Sequence, residues 1–309
     1  MSRNLQQAEI LKTLLSHYRV RDAALGSCES LPGAGDAVRR RASVIGSEIF
    51  CLDETARLMS LAKQAICEQD RLGRDLPTGW IWQAKTLSGA KGRMSRIWWA
   101  PPGGIYFCLE IFPGLLPDNW SLYNLGIGVA ICQVLREWGV PARVRWINDV
   151  LIGGRKVAGV LSEAVFAPVS GQTYLIFGVG VNVNVTNFPD HLSAATSLRM
   201  ETGCSWPLES LAAHIMARTG WIFGLVEQWE AESLLQDCME VPNPVNRAWK
   251  LVSDTPGQRV RYGLDADRNP EIEAVVLDLD HDGGLWLMLG NGDELKVNSG
   301  EIRYVDPDA

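Results

Sequence analysis

The side chains best suited to chemistry crowd into residues 143–163, RVRWINDVLIGGRKVAGVLSE. Alternation in the first half puts Val144 and Trp146 on one face of a strand and Arg143, Arg145 and Ile147 on the other. Asn148 and Asp149 follow at the strand's end. Gly153-Gly154 reads as a hairpin turn, because both positions accept positive φ. The chain returns through Lys156 and an apolar strand over 157–161 to Glu163. Cations, an amide and carboxylates on one hairpin suit a nucleotide or another phosphate ligand. A surface hairpin with solvated charges would carry the same residues.

Two other segments offer what such a ligand needs. Residues 177–184, FGVGVNVN, alternate so that the valines share one face and Gly178, Gly180, Asn182 and Asn184 the other. Glycine weakens a strand, so two in alternation point to something that approaches the backbone closely. The asparagines could then turn amide oxygens toward a metal-bound phosphate or a ligand hydroxyl; a bulged edge strand with polar outer residues is the plainer alternative. Residues 88–96, SGAKGRMSR, lack apolar periodicity and hold Lys91, Arg93 and Arg96 among small residues. They read as a mobile basic loop whose amides and charges could meet an anion. No GxxxxGK[ST] runs through it, so it is not a Walker A loop.

The elements that must position these segments follow from spacing. Residues 49–52, 80–84 and 105–112 predict strands, and residues 56–67 a helix behind a polar cap. Residues 119–138 predict the clearest helix, with an apolar stripe through Leu122, Leu125, Val129, Ile131 and Leu135 and a stop at Gly139. A second long helix spans 208–235, with Trp221, Phe223 and Trp229 as core. From Gly257 onward, short alternating strands and turns at 265–267, 282–284 and 290–293 predict a small five-stranded barrel. The expected division is an N-terminal extension over 1–45, a large domain over 46–240, a linker over 241–255 and the β module over 256–309. In the extension, Ile10, Leu11 and Leu14 predict a helix over 5–17 and Arg39-Arg40-Arg41 a solvated patch. A helix-turn-helix would need a second amphipathic helix after a short turn, which the sequence does not offer.

Composition removes several function classes. At 309 residues, 47% of them hydrophobic and twelve of them Trp, the chain can bury a large core. Its net charge of -7 argues against general nucleic-acid binding, which needs a basic face. A polar start without an apolar h-region, and no apolar run of about eighteen residues, predict a cytoplasmic protein with no membrane partner. Seven scattered cysteines without CxxC spacing speak against a disulfide framework or structural zinc. Four separated histidines without HExxH, and the lack of GxSxG, leave metallohydrolase and serine-hydrolase chemistry without support.

In this order the motifs resemble the biotin protein ligase family, within the wider biotin/lipoate ligase group. RWINDV over 145–150 and GRKVAGVLSE over 154–163 stand where the family reads approximately KWPNDV and GRKVAGIL with a glutamate. GVGVNVN over 178–184 resembles its GIGINVN, ATSL over 195–198 its downstream phrase, and the closing module its SH3-like domain ending at 299–302. The resemblance covers roughly residues 46–306 and implies a short type, because residues 1–45 do not resemble the DNA-binding domain of the bifunctional repressor-ligases. It implies an α+β fold: a mixed sheet with helices, related to class II aminoacyl-tRNA synthetases, plus an SH3-like barrel. The implied activity is ATP- and Mg²⁺-dependent adenylation of biotin to biotinyl-5'-AMP, then transfer to a lysine of a biotin carboxyl carrier protein domain, by a protein that can be a homodimer.

Residue by residue, the resemblance makes Arg145, Arg93 and Lys91 catalytic. It places Glu54, Thr55, Leu87, Gly159, Gly178 and Gly180 against the acid. Lys156, Asn148, Asp149, Asn182 and Trp98 fall to ATP, with Asn182 and Asp149 also serving Mg²⁺. The departures are specific. Arg145 replaces the family's lysine and Ile147 its proline, AKGRMSR over 90–96 replaces GRGRxGR, Asp53-Glu54-Thr55-Ala56 replaces Asp-Ser-Thr-Asn, and Leu87 falls at or near a glutamine. Charge at the phosphate end is kept while several polar contacts to the acid's ring are not. Two readings therefore stand beside biotin: another acid of the group, lipoate or octanoate, and a non-catalytic homologue that binds a small molecule or partner.

Overall fold

The computed structural model describes residues 3–25, 35–74, 78–236 and 243–305. Seven strands form its central sheet: β1 Ile49–Thr55, β2 Trp80–Leu87, β3 Ile105–Ile111, β4 Arg143–Arg145, β5 Asp149–Ile152, β6 Arg155–Phe166 and β7 Thr173–Val181. Their order is β1-β2-β3-β7-β6-β5-β4. β1 and β2 run parallel and the other neighbours antiparallel. Where the sequence suggests one hairpin over 143–163, the chain makes a three-stranded meander. β4 stops at Arg145, residues 146–148 turn into β5, and Gly153-Gly154, at φ 54° and 78°, turn into β6.

The helices are α1 Arg3–Leu25, α2 Gly35–Ala42, α3 Leu58–Arg71, α4 Ser121–Glu137, α5 Leu198–Thr202, α6 Leu208–Gln236 and α7 Pro244–Val252. One sheet face receives α3, whose Leu58, Ala62 and Ile66 pack with Tyr106, Cys108 and Ile176. The other receives α4 and α6, whose Leu122, Leu125 and Ile215 join Phe107, Leu109 and Phe177. β3 is therefore buried along its whole length, which explains an apolar run broken only by Glu110.

The described part of residues 1–45 is built into this domain. Leu11 and Leu15 of α1 are buried in the main core. α2 lies so close to α6 that a Cβ at Gly224 would come within 2.5 Å of the Val38 carbonyl oxygen. Arg218 of α6 holds α1 through Asp22, at 3.0 and 2.9 Å, and holds α4 through Glu137, at 2.6 Å.

The C-terminal module consists of β8 Arg259–Gly263, β9 Ile272–Leu279, β10 Leu285–Leu289, β11 Glu294–Val297 and β12 Glu301–Tyr304, in the order β11-β10-β9-β8-β12. The five strands are as expected, but hydrogen bonds do not close a barrel: among the described residues β11 and β12 remain its two edges. Residues 241–255, read from sequence as a linker, carry α7 with Trp249 fully buried. The 282–284 turn is fastened to the large domain. The Trp146 indole donates to the Gly283 carbonyl at 3.1 Å, and Asn246 of α7 donates to the Asp280 carbonyl at 2.6 Å. None of the described helices is long and apolar enough to cross a membrane.

Glu110 of β3 is a buried carboxyl of the sheet, 1% exposed. Burial pushes it up to about 7, with the Trp82 indole acting the other way. Between the ordinary value of 4.5 and about 7 the folded chain keeps a proton that the unfolded chain has lost. Its stability therefore falls as pH rises through that window and is level above it. Glu110→Gln removes this slope. Relative to wild type, the variant's unfolding free energy from urea titrations should rise by up to about 3 kcal/mol between pH 5 and pH 7.5.

Candidate active site

Beside β6 and β7 lies a cavity of about 260 Å³. Register explains its floor. Gly159 of β6 stands opposite Gly180 of β7, and Leu161 opposite Gly178, so three of these four positions carry no side chain. Two side chains cover the bare backbone. A Cβ added to Gly180 would come within 2.6 Å of the Trp98 ring, and one added to Gly178 within 2.7 Å of Met59 Sδ. The Lys156 ammonium lies 5.4 Å from the centre of a Trp98 ring, in cation–π range.

At the polar end Asp149 is buried with both oxygens engaged. Oδ1 pairs with Lys156 and Oδ2 with Arg145 at 2.6 Å, while Arg303 lies 3.9 Å away. Burial opposes ionisation of this carboxyl, but Lys156 and then Arg145 outweigh it and hold Asp149 well below the ordinary carboxylate range. Asn148 donates to the Val160 carbonyl at 2.5 Å. Asn182 donates to the Thr196 carbonyl at 3.0 Å, which leaves its buried Oδ1 without a hydrogen-bond partner.

The basic loop is held from the C-terminal module. Arg93 donates to the Gly300 carbonyl at 2.5 Å. Arg96 grips Glu301 through two bonds of 2.9 and 3.0 Å and meets Asp265 at 2.9 Å. Arg303 in turn grips Asp267 at 2.6 and 2.7 Å. Within the loop, Met94 and Ser95 take φ of 52° and 58°, the left-handed region that a non-glycine residue rarely adopts.

Residues 57–182 match the Biotin/lipoate A/B protein ligase family. That segment is a domain of this family. Bifunctional ligase/repressor BirA of Bacillus subtilis is 32% identical over 145 residues, 45% of this chain and 44% of that protein. The chain thus spans less than half the length of that relative. BirA of Salmonella typhimurium is 26% identical over 245 residues, 75% of this chain and 70% of the relative. Among solved structures, the biotin protein ligase from Aquifex aeolicus in complex with biotin and ATP matches with a TM-score of 0.65 at 22% identity, over 84% of this chain and 100% of that one. That likeness is one of fold: a mixed sheet with helices followed by a small antiparallel sheet.

The ligase-family domain brings most of the sequence-derived candidates to one cavity. Lys91, Arg93, Lys156, Asn148, Asp149 and Asn182 line it from three segments. Leu87, Trp98, Gly159, Gly178 and Gly180 complete the wall and floor. Four candidates stand elsewhere. Arg145 is turned onto Asp149 and does not line the cavity. Glu54 and Thr55 sit at the end of edge strand β1, also outside its wall. Asn184 spends its amide on the Trp206 backbone, at 2.9 Å in both directions, so it is structural.

Sequence reasoning missed Met59, Glu301 and Arg303, all of which line the cavity. Met59 reads as one more apolar residue of a helix. Glu301 and Arg303 lie beyond the matched segment, and nothing local marks them as site residues. Of the two candidates for Mg²⁺, Asn182 fits a hard cation, since its Oδ1 is a free buried acceptor. Asp149 does not fit as placed, because Lys156 and Arg145 already hold its oxygens. Asp265, Asp267 and Glu301 also cluster closely enough to share an ion, but Arg96 and Arg303 already neutralise them.

Removing the clasp should free the loop. Arg96→Ala removes the cation that joins Glu301 and Asp265 to the loop. Amide hydrogen exchange across residues 88–97 should then quicken at least about tenfold, with β7 amides unchanged.

Proposed function

We propose that this chain is an ATP-dependent ligase that adenylates biotin and passes it to a lysine of a biotin carrier protein domain. One observation carries the reading: a glycine-floored trench with apolar walls opens onto Lys91 and Arg93 of one loop and Lys156 of β6, three cations from two segments of a ligase-family domain. A carboxylate and a triphosphate repel each other, and a site that joins them must neutralise both while holding them in line. The name of the matched family and the Aquifex complex with biotin and ATP support biotin as the acid.

In the first step a biotin carboxylate oxygen attacks the α-phosphorus of ATP, and the bond to the β-phosphate oxygen breaks, releasing pyrophosphate. Lys156 and Arg93 take up the charge that develops on the phosphates. Lys91 and the loop cover the adenylate and keep water from it. Trp98 offers a face for adenine, and its buried indole N–H has no hydrogen-bond partner in the described structure, so it is free to donate. Asn182 Oδ1 supplies an oxygen for Mg²⁺, which neutralises phosphate charge when bound. In the second step the carrier lysine, as the free amine, attacks the acyl carbon; AMP leaves and the nitrogen loses a proton.

Arg145 acts here through Asp149 as a positioning residue, fixing the carboxylate that anchors Lys156. A cytoplasmic location, where carrier lysines and ATP meet, belongs to the same reading, and sedimentation distinguishes monomer from homodimer. The apolar side chains Leu58, Leu87 and Leu161 on the cavity wall favour a second acid to test, lipoate or octanoate.

The assay is transfer of label from [α-³²P]ATP to the acyl-adenylate. Wild type forms it with biotin; no adenylate with biotin, lipoate or octanoate would sink the proposal. Lys156→Ala should lower kcat/KM by about 10²-fold or more, the scale of losing one electrostatic stabiliser. Arg145→Ala should lower it by about tenfold and be largely restored by Arg145→Lys, as expected of an indirect role.

A further inference from the structure

We infer that Met59 sets the depth of the acid end of the trench and so selects the acid by the length of its tail; the inference rests on the ligase reading above. Along β7 the polar end is marked by Asn182, two residues beyond Gly180, and Gly178 lies two residues to the other side. With about 3.3 Å of rise per residue, the Gly178 position is about 13 Å along the strand from Asn182. A carboxylate held beside the cations therefore directs its tail over Gly180 and toward Gly178.

What it meets there is Met59. The thioether sits 2.7 Å from where a Gly178 Cβ would be, and the side chain is only 7% exposed. Leu161, opposite Gly178, and Leu58, beside Met59 in the chain, line this end as well. Met59 belongs to the first turn of α3, a helix packed across β2, β3 and β7, so the stop is carried by a rigid element. The two covers differ in kind. Trp98, over Gly180 and Gly159, follows the basic loop, and its backbone N–H bonds the Ala90 carbonyl at 3.0 Å. Met59 can yield only by changing rotamer, which an unbranched thioether does within limits. Tail length is thus gauged by Met59 and the bare backbone under it.

The test uses the full chain with biotin and homobiotin, which carries one more methylene in its tail. The readings are kcat/KM for adenylate formation with each acid, KM for ATP, and equilibrium dialysis of each acid. A methylene too many in a closed pocket is worth about 10–200-fold. Wild type should discriminate against homobiotin, and Met59→Ala should reduce that discrimination at least about tenfold with the KM for ATP unchanged. Gly178→Ala raises the floor against the same thioether and should sharpen the discrimination, so the inference is still tested if Met59→Ala folds poorly. A biotin-to-homobiotin ratio that moves in neither variant, while wild type adenylates biotin, overturns this inference and leaves the ligase reading standing. Wild type that binds neither acid and forms no adenylate with biotin, homobiotin, lipoate or octanoate overturns both.

Discussion

The site depends on one buried carboxylate. Asp149 stands on β5 with Arg145 of β4 on one oxygen and Lys156 of β6 on the other, and Arg303 of β12 faces it. A lone buried charge costs several kcal/mol, and loss of one partner from such a cluster typically costs about 3–5 kcal/mol. The cations are therefore not free to wander. They are held at one place by the charge they neutralise, across three strands and a second module. Such a cluster is weak evidence for stability, since well-packed apolar residues can do as well. Its value is in placing positive charge at the rim of a cavity before any anion arrives.

The cavity itself comes from absent side chains. Gly159, Gly178 and Gly180 share a patch of bare sheet, and Trp98 and Met59 rest against it. Close packing leaves few voids larger than a water molecule, so a trench of this kind needs side chains to cover it when no ligand does. One cover comes from a basic loop and the other from a helix.

The C-terminal module is bound to this arrangement at two levels. Its 282–284 turn is hydrogen-bonded to Trp146 and its neighbouring strand end to α7, which sets the module's position. Its 300–303 segment then reaches the cavity, where Gly300 and Glu301 hold Arg93 and Arg96. The left-handed backbone at Met94 and Ser95 has its flanking arginines anchored in this way. Loop, module and large domain form one site.

Much of this could be read in the chain alone. The alternation of Gly178, Gly180 and Asn182 on one strand face, the Gly153-Gly154 turn and the helical stripe from Leu122 to Leu135 are local periodicities, and they survive folding because a strand or helix cannot bury its apolar side in any other phase. The match of Lys91, Trp98, Lys156 and Asn182 to one cavity also follows from ordered motifs. Folding alone decided which charges would be spent on each other. Arg145 and Lys156 look equivalent in sequence, yet cross-strand register turns the first wholly onto Asp149 and leaves the second at the cavity wall. Likewise Met59 becomes a site residue through its contact with Gly178, and Glu301 through Arg96, each partner more than one hundred positions away. Periodicity reports which face a side chain takes on its own element; which partner it meets there depends on how separate elements pack, and that information is not local.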